Sequence, residues 1–336
     1  FDTVFVYQNE GYPQLNINGI NAKYYIPKTT TSKFDLTLEV VPNDGEYLLR
    51  FEYCTKLFNE DFIKRFSSHY TNILNIILKN NNIKIADIDM LSEGERDQIL
   101  YQFNDTKIDY PKNKTIIELF EEQVQKVPNN IAVVFEGQQL TYKELNEKAN
   151  QLARFLINNN ISSGSNLAIL LPRSINTIVS MLATLKIGAS YMLIDTSLPS
   201  GRIEYMLTNS NSCALITDKK TNVTFKNTIY LEDFSPKLYH GENLNISSNA
   251  SDIFTLLYTS GSTGTPKGIM LHNAGMINVV LAHKLYMNID ACNNFLSYSS
   301  VSFDMFQVET YVPLLNGKKI ILASEEEKNT PTAICN

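Results

Sequence analysis

From Thr115 onward, short apolar runs alternate with stretches of helical periodicity, and that alternation narrows the folds open to this chain more than any other feature. The strand-like runs are IAVVF, NLAILL, SYMLI, CALIT, DIFTLLY, NFLSYS and KKIILA. Between them, TIIELFEEQVQKV and TYKELNEKANQLARFLINN read as helices, each opened by capping-box spacing at Thr115/Glu118 and Thr141/Glu144. Further helices are expected from Ser174 to Ile187, near Arg202 to Leu207, after Gly275 and after Phe303. Strands alternating with helices predict mostly parallel sheets flanked by helices, the α/β class. In such sheets, ligands gather at loops leaving the carboxyl ends of strands.

The first ninety residues have a different character. FDTVFVYQ reads as a strand, FDLTLEVVP (Phe34 to Pro42) alternates at period two, NDG turns, and EYLLRFEY alternates again, which predicts a β-hairpin. In EDFIKRFSSHYTNILNIILKN, Phe62, Ile63, Phe66, Tyr70, Ile73, Leu74, Ile77 and Leu78 form one apolar stripe on a long helix. This is an α+β piece, too small and open to be a whole catalytic domain. Residues 91–114 turn polar and turn-prone around one short helix-like stretch and read as a linker. The expected organisation is therefore 1–90, a linker at 91–114, and 115–336. Both ends are abrupt, and the chain reads as an internal piece of something longer.

Composition removes several classes of function. With 336 residues and 43% hydrophobic content, the chain can bury a sizeable core, in about two domains by length. A net charge of −6, with 29 Lys and Arg spread along the sequence, argues against a nucleic-acid partner. No apolar stretch nears the roughly 20 residues that span a bilayer, and no basic n-region opens a signal peptide. A cytoplasmic protein with no membrane association is expected. Cys54, Cys213, Cys292 and Cys335 lack CxxC spacing and metal-ligand histidines, and read as buried free thiols in a reducing compartment.

The stretch YTSGSTGTPKG, Tyr258 to Gly268, follows an apolar strand-like run directly. Gly261, Gly264 and Gly268 give the backbone access to positive φ and close approach to a ligand. Thr259, Ser260, Ser262, Thr263 and Thr265 offer hydroxyls, Lys267 a positive charge, and Pro266 stiffness. An anion is the expected guest. A solvated linker is the bland alternative, but linkers rarely follow a buried strand so abruptly. The loop G-x-x-x-x-G-K-[ST] fails on order, because Gly268 rather than Ser or Thr follows the lysine.

Here the sequence resembles the adenylate-forming enzymes, whose phosphate signature YTSG[ST]TGxPKG is met at every position. LTYKEL (Leu140 to Leu145) and LKIGASYMLIDTSLPSGRI (Leu185 to Ile203) are similar to two further signatures, typical of amino-acid adenylation domains in nonribosomal peptide synthetases. One departure is Leu193, where proline is usual. FDTVFVYQN, SKFDLTLEV and the helix up to IADIDMLSEGER resemble the last portion of a condensation domain, which is chloramphenicol-acetyltransferase-like in fold. The resemblance covers essentially the whole chain and implies activation of an amino acid by ATP to the aminoacyl-AMP, then loading onto a carrier-protein phosphopantetheine thiol. Residues 259–265, 267 and 268 would hold the β- and γ-phosphates, and Lys267 would act in catalysis by stabilising charge on the departing pyrophosphate.

The resemblance also places in VSFDMFQVETYVPLL an aspartate that pairs with the substrate's α-ammonium group, here Asp304. From the residues alone, Asp304 reads equally as a helix cap. Phe306 stands where the family has serine. Met305 and Val308 would line the side-chain pocket or pack in the core, and both are apolar, which leaves the amino acid unnamed. His272 either serves the loop or is structural. The family's N-x-Y-G-P-T-E segment, which contacts adenine and ligates Mg²⁺, and its T-G-D ribose segment do not occur in these residues, so no metal ligand is assigned. Nor does H-H-x-x-x-D-G, since His69, His240, His272 and His283 include no adjacent pair. The implied partners are the amino acid, a peptidyl carrier domain and the rest of a synthetase, with these residues inactive by themselves. An acyl-CoA ligase and a non-catalytic truncated product remain as alternatives.

Overall fold

The computed structural model describes residues 2–9, 16–21, 25, 30–43, 45–259 and 266–329. They fall into two compact units, Phe1–Ile108 and Asp109–Asn336.

In the first unit, strands Thr3–Tyr7, Leu36–Asn43 and Glu46–Tyr53 form a sheet in that order. The first pair is parallel; the second is the expected hairpin, with Leu36 opposite Tyr53 and Asn43 opposite Glu46. Gly45 turns it at φ +87°, a conformation that a residue with a Cβ rarely adopts. Helix Glu60–Lys79 starts at Asn59, whose side chain accepts from the Phe62 N–H at 2.8 Å. Its apolar stripe meets the sheet through Phe66 and Tyr70, both edge-on to Phe51. The chain then returns along this helix. His69 Nε2 lies 2.8 and 2.9 Å from the two Glu95 oxygens, and Asn72 donates to the Met90 carbonyl.

The second unit holds two sheets. The larger runs Thr228–Tyr230, Ala214–Thr217, Asn166–Leu170, Ser190–Leu193, Ile253–Thr259, Lys267–His272, all parallel except the last pair, which is an antiparallel hairpin. The smaller runs Asn294–Ser297, Lys319–Leu322, Ile131–Phe135, Gln138–Thr141, and again only the last pair is antiparallel. Period-two alternation in the larger sheet feeds two cores. Leu167, Ile169, Tyr191, Leu193 and Ile216 point into one that also takes in helices Tyr142–Asn158, Ile175–Lys186 and Asp304–Leu315. Ala168, Leu170, Met192 and Leu215 meet Ile203, Met206 and Leu207 of helix Ser200–Asn209 on the other face. Burial on both faces explains why these strands read as continuous apolar runs.

Three strands of this unit fall outside the sequence expectation. Gln138–Thr141 is a polar edge strand, Thr228–Tyr230 has three residues, and Lys267–His272 follows Pro266 and lies at a sheet edge, so none carries a strong apolar pattern. The cysteines also correct the sequence reading. Cys54, Cys213 and Cys292 are free, but the first two are only half-buried and Cys292 is exposed, because it sits on the surface turn entering strand Asn294–Ser297. Cys335 lies outside the described residues.

Candidate functional site

Thr259 and Lys267 face each other at the end of the Ile253–Thr259/Lys267–His272 hairpin where residues 260–266 connect the strands in sequence, and both are exposed. Six of the expected phosphate contacts, Ser260, Gly261, Ser262, Thr263, Gly264 and Thr265, lie outside the described residues. Helix Ser200–Asn209 braces both arms of the hairpin: Tyr205 donates its hydroxyl proton to the Pro266 carbonyl at 3.2 Å, and Tyr258 donates to Asn209 at 2.7 Å. Lys267 has no side-chain partner among the described residues, which leaves its ammonium available at the carboxyl end of a parallel strand. Gly268 departs from expectation, since it lies in extended strand rather than at positive φ. A Cβ there would come within 3.2 Å of the Tyr258 ring, so close packing explains the glycine.

Asp304 opens helix Asp304–Leu315 and is exposed. Phe303 is the N-cap and makes no side-chain capping bond; among the described residues Asp304 accepts only from the adjacent Met305 N–H, at 2.8 Å. It is therefore not the cap, and no cation pairs with it among the described residues. Its charge suits the positive end of the helix dipole. Met305 is 49% exposed and Val308 packs at the edge of the larger core, so the two neighbours offer apolar surface of different depth. Phe306 is fully buried beneath the Arg173 guanidinium, 5.1 Å from the ring centroid. His272 is tied to the Ser251 carbonyl through Nδ1 at 2.5 Å.

Several polar residues around the segment leading to Asp304 and its helix, Arg173 buried and Glu309 and Asp195 half-buried, were not singled out by sequence. Arg173 donates to the carbonyls of Ser297, Tyr298 and Ser299, and Glu309 accepts from the N–H groups of Tyr298 and Ser299. Burial lowers the Arg173 pKa, while Glu309, Glu325 and Asp195 push it back up, and a guanidinium stays charged at neutral pH. Asp195 accepts from the Ser300 hydroxyl at 2.6 Å and from the Ser197 side chain and N–H. Burial pushes its carboxyl up, and the bonds from Ser300 and Ser197 more than offset that, so its pKa falls. The Asp195–Ser300 bond joins the loop after strand Ser190–Leu193, neighbour of strand Ile253–Thr259, to the loop that leads into Asp304.

Deeper in, Tyr191 donates to Gln307 Oε1, so Tyr311 must be the donor in its 2.8 Å bond to Tyr191. Burial raises both phenols far above their ordinary range, which keeps them neutral. One signal could have revealed Glu309: it is the sole charge besides Asp304 in DMFQVETYVPLL. A crevice of about 380 Å³, lined by Pro172, Thr196, Ser200, Asp218 and Lys220 among others, opens at the carboxyl ends of the neighbouring parallel strands. Among the described residues no group of three or more His, Cys, Asp or Glu is placed to hold a metal ion. No described helix is long and apolar enough to cross a membrane.

With this geometry in place, the family of AMP-binding enzymes matches residues 120–336, and the condensation-domain family matches residues 1–100. The chain belongs to the AMP-binding enzyme family. It is 39% identical to gramicidin S synthase 2 of Brevibacillus brevis over 99% of its own length, which is 8% of that protein. In fold it is similar to a nonribosomal peptide synthetase, FmoA3, solved with AMPPNP, at a TM-score of 0.75 and 20% identity over 96% of this chain and 35% of that one. It is also similar to an artificially fused adenylation–PCP didomain, NpsA–ThdA from Klebsiella oxytoca, at a TM-score of 0.58 and 27% identity over 63% of this chain and 43% of that one.

Proposed function

We propose that this AMP-binding chain serves amino-acid activation within a peptide synthetase: residues 1–90 are the tail of a condensation domain, 91–114 a linker, and 115–336 the first part of an adenylation domain. The observation that carries this reading is the complete phosphate signature in the sequence from Tyr258 to Gly268, whose described ends, Tyr258–Thr259 and Lys267–Gly268, pair at the carboxyl end of a parallel strand. ATP supplies the electrophilic α-phosphorus and the pyrophosphate leaving group. The residues from Thr259 to Thr265, with Lys267 and Gly268, hold the β- and γ-phosphates, and the Lys267 ammonium, without a side-chain partner among the described residues, stabilises charge that develops on the leaving group. Asp304 takes the amino acid's ammonium group. Met305 and Val308 line the side-chain pocket and favour an uncharged side chain.

The aminoacyl group passes to a carrier domain's phosphopantetheine thiol, and the didomain relative from Klebsiella oxytoca supports such a partner. Mg²⁺ would be held by residues other than those described. Amino-acid-dependent ATP–pyrophosphate exchange tests the reading. Exchange is expected to be negligible for residues 1–336 and clear when they are joined to segments of the N-x-Y-G-P-T-E and T-G-D types. Asp304→Ala should raise the amino-acid KM at least about thirtyfold, the effect of leaving a bound charge unpaired. If the joined protein activates fatty acids and no amino acid, the assignment of Asp304 is wrong.

A further inference from the structure

Two consecutive peptide units ahead of Asp304 are each held at both ends by a pair of opposite charges. In the unit between Ser297 and Tyr298, the oxygen accepts from Arg173 Nη1 at 2.9 Å and the N–H donates to Glu309 Oε2 at 2.9 Å. In the unit between Tyr298 and Ser299, the oxygen accepts from Arg173 Nη2 at 3.2 Å and the N–H donates to Glu309 Oε2 at 3.0 Å. The hydroxyls of Ser297 and Ser299 also donate to Glu309, at 3.1 and 2.5 Å. Arg173 comes from the connection after strand Asn166–Leu170, and Glu309 from the second turn of the helix that Asp304 opens. Each charge polarises the same peptides in the same sense, so each strengthens the bonds of the other.

Among the described residues nothing comparable holds the helix start itself: Phe303 gives no side-chain cap, and Asp304 has one bond there, from its neighbour's N–H. The direction in which the chain enters the helix is thus decided by the stretch Ser297–Ser300. Burying an arginine and half-burying a glutamate carries a desolvation cost that a well-packed apolar contact would avoid, so stability alone does not account for them.

We propose that Arg173 and Glu309 are paired positioning residues, which act through the two peptide units between them to set Asp304 for the substrate's ammonium group. The proposal rests on the assignment of Asp304 under the proposed function. It makes the clamp a determinant of amino-acid binding and leaves ATP binding to the hairpin.

The test uses the full-length synthetase carrying these residues, in ATP–pyrophosphate exchange with the amino acid it activates best. Glu309→Gln keeps the shape and loses the charge; Arg173→Lys keeps the charge and loses the two-pronged geometry. Each should raise the amino-acid KM about tenfold or more, leave the ATP KM within about twofold, and lower kcat less than it raises KM. The double variant should be little worse than the weaker single one, because both side chains act on the same peptides. Ser299→Ala removes one hydroxyl from Glu309 with both charges in place. It should give the same split at about threefold, and it decides the matter if the charged variants do not fold.

A fall in kcat with both KM values unchanged would reduce the pair to a folding role and overturn the proposal. So would ATP and amino-acid KM rising together, or strictly additive effects. An inactive unsubstituted enzyme would sink the adenylation reading itself. An active one with indifferent variants would sink the clamp alone.

Discussion

The two units build their interiors differently. Among the described residues, Phe1–Ile108 buries Leu38, Val40, Val41 and Ile63, while Phe5, Tyr47, Leu57, Leu78, Ile85 and Phe103 stay exposed. Asp109–Asn336 closes two cores, one on each face of its larger sheet, and buries whole tyrosines and phenylalanines. Three strands and one long helix offer a single face to cover, whereas a sheet with helices on both faces removes nearly every strand residue from water. Independent stability therefore belongs to the second unit, and charged groups in its interior are the costly ones to disturb.

The sharpest test of that contrast is a pair of ion-pair deletions. The Lys186 ammonium is buried against Glu121, near the Phe120 ring. Glu121→Ala leaves it unpaired and should cost about 3–5 kcal/mol in urea unfolding. Glu39→Ala, which breaks the more exposed Arg50–Glu39 bridge of the first unit, should cost no more than about 1 kcal/mol. Burial already lowers the Lys186 pKa, against the pull of Glu121. A base lowered in the fold is penalised while charged, so the Glu121→Ala deficit should shrink as pH rises toward the ordinary lysine range. A deficit that grows with pH would contradict the assignment.

Packing gives the next test. Phe120→Ala empties a fully buried site beside Tyr142 and should cost about 3–5 kcal/mol, against less than about 1 kcal/mol for Leu48→Ala on the outer hairpin strand. Equal losses would erase the distinction between the units. Capping should then level it: Thr141→Ala and Ser92→Ala each break one capping box, in different units, and about 1 kcal/mol is expected from either in thermal unfolding.

The smallest effect is one of pH. Bonds from the Ser92 N–H and hydroxyl, then from His69, hold the Glu95 carboxyl down at about 2. A depressed acid stabilises the fold above its unfolded pKa, and that contribution fades as pH falls from about 4.5 toward 2. A carboxyl-carbon NMR titration should place Glu95 low and show it rising in His69→Ala; an unmoved midpoint would remove histidine from the account.

Much of this architecture was legible because the signals are local. Capping boxes at Thr115 and Thr141, the apolar stripe of helix Glu60–Lys79 and the hairpin around Gly45 depend on residues a few positions apart, and the structure has each of them. The polar, short edge strands were missed because a strand with one neighbour and a wet face needs little hydrophobic pattern. At the candidate site, the expected phosphate signature came from its residues and the expected role of Asp304 from resemblance, but the groups that support them could not be read. Arg173 and Ser297 are 124 positions apart, as are residues held by no sequence rule until the crossovers of a parallel sheet bring them together.

The sequence by itself determined that a mostly parallel sheet would be covered by helices, and it set the expectation of an anion at the stretch after DIFTLLY, because periodicity and glycine placement are properties of neighbours along the chain. Only the tertiary structure decided the strand order, the packing reason for Gly268, and the grip of Arg173 and Glu309 on the peptides ahead of Asp304. Those depend on which distant groups are left without water and must find each other.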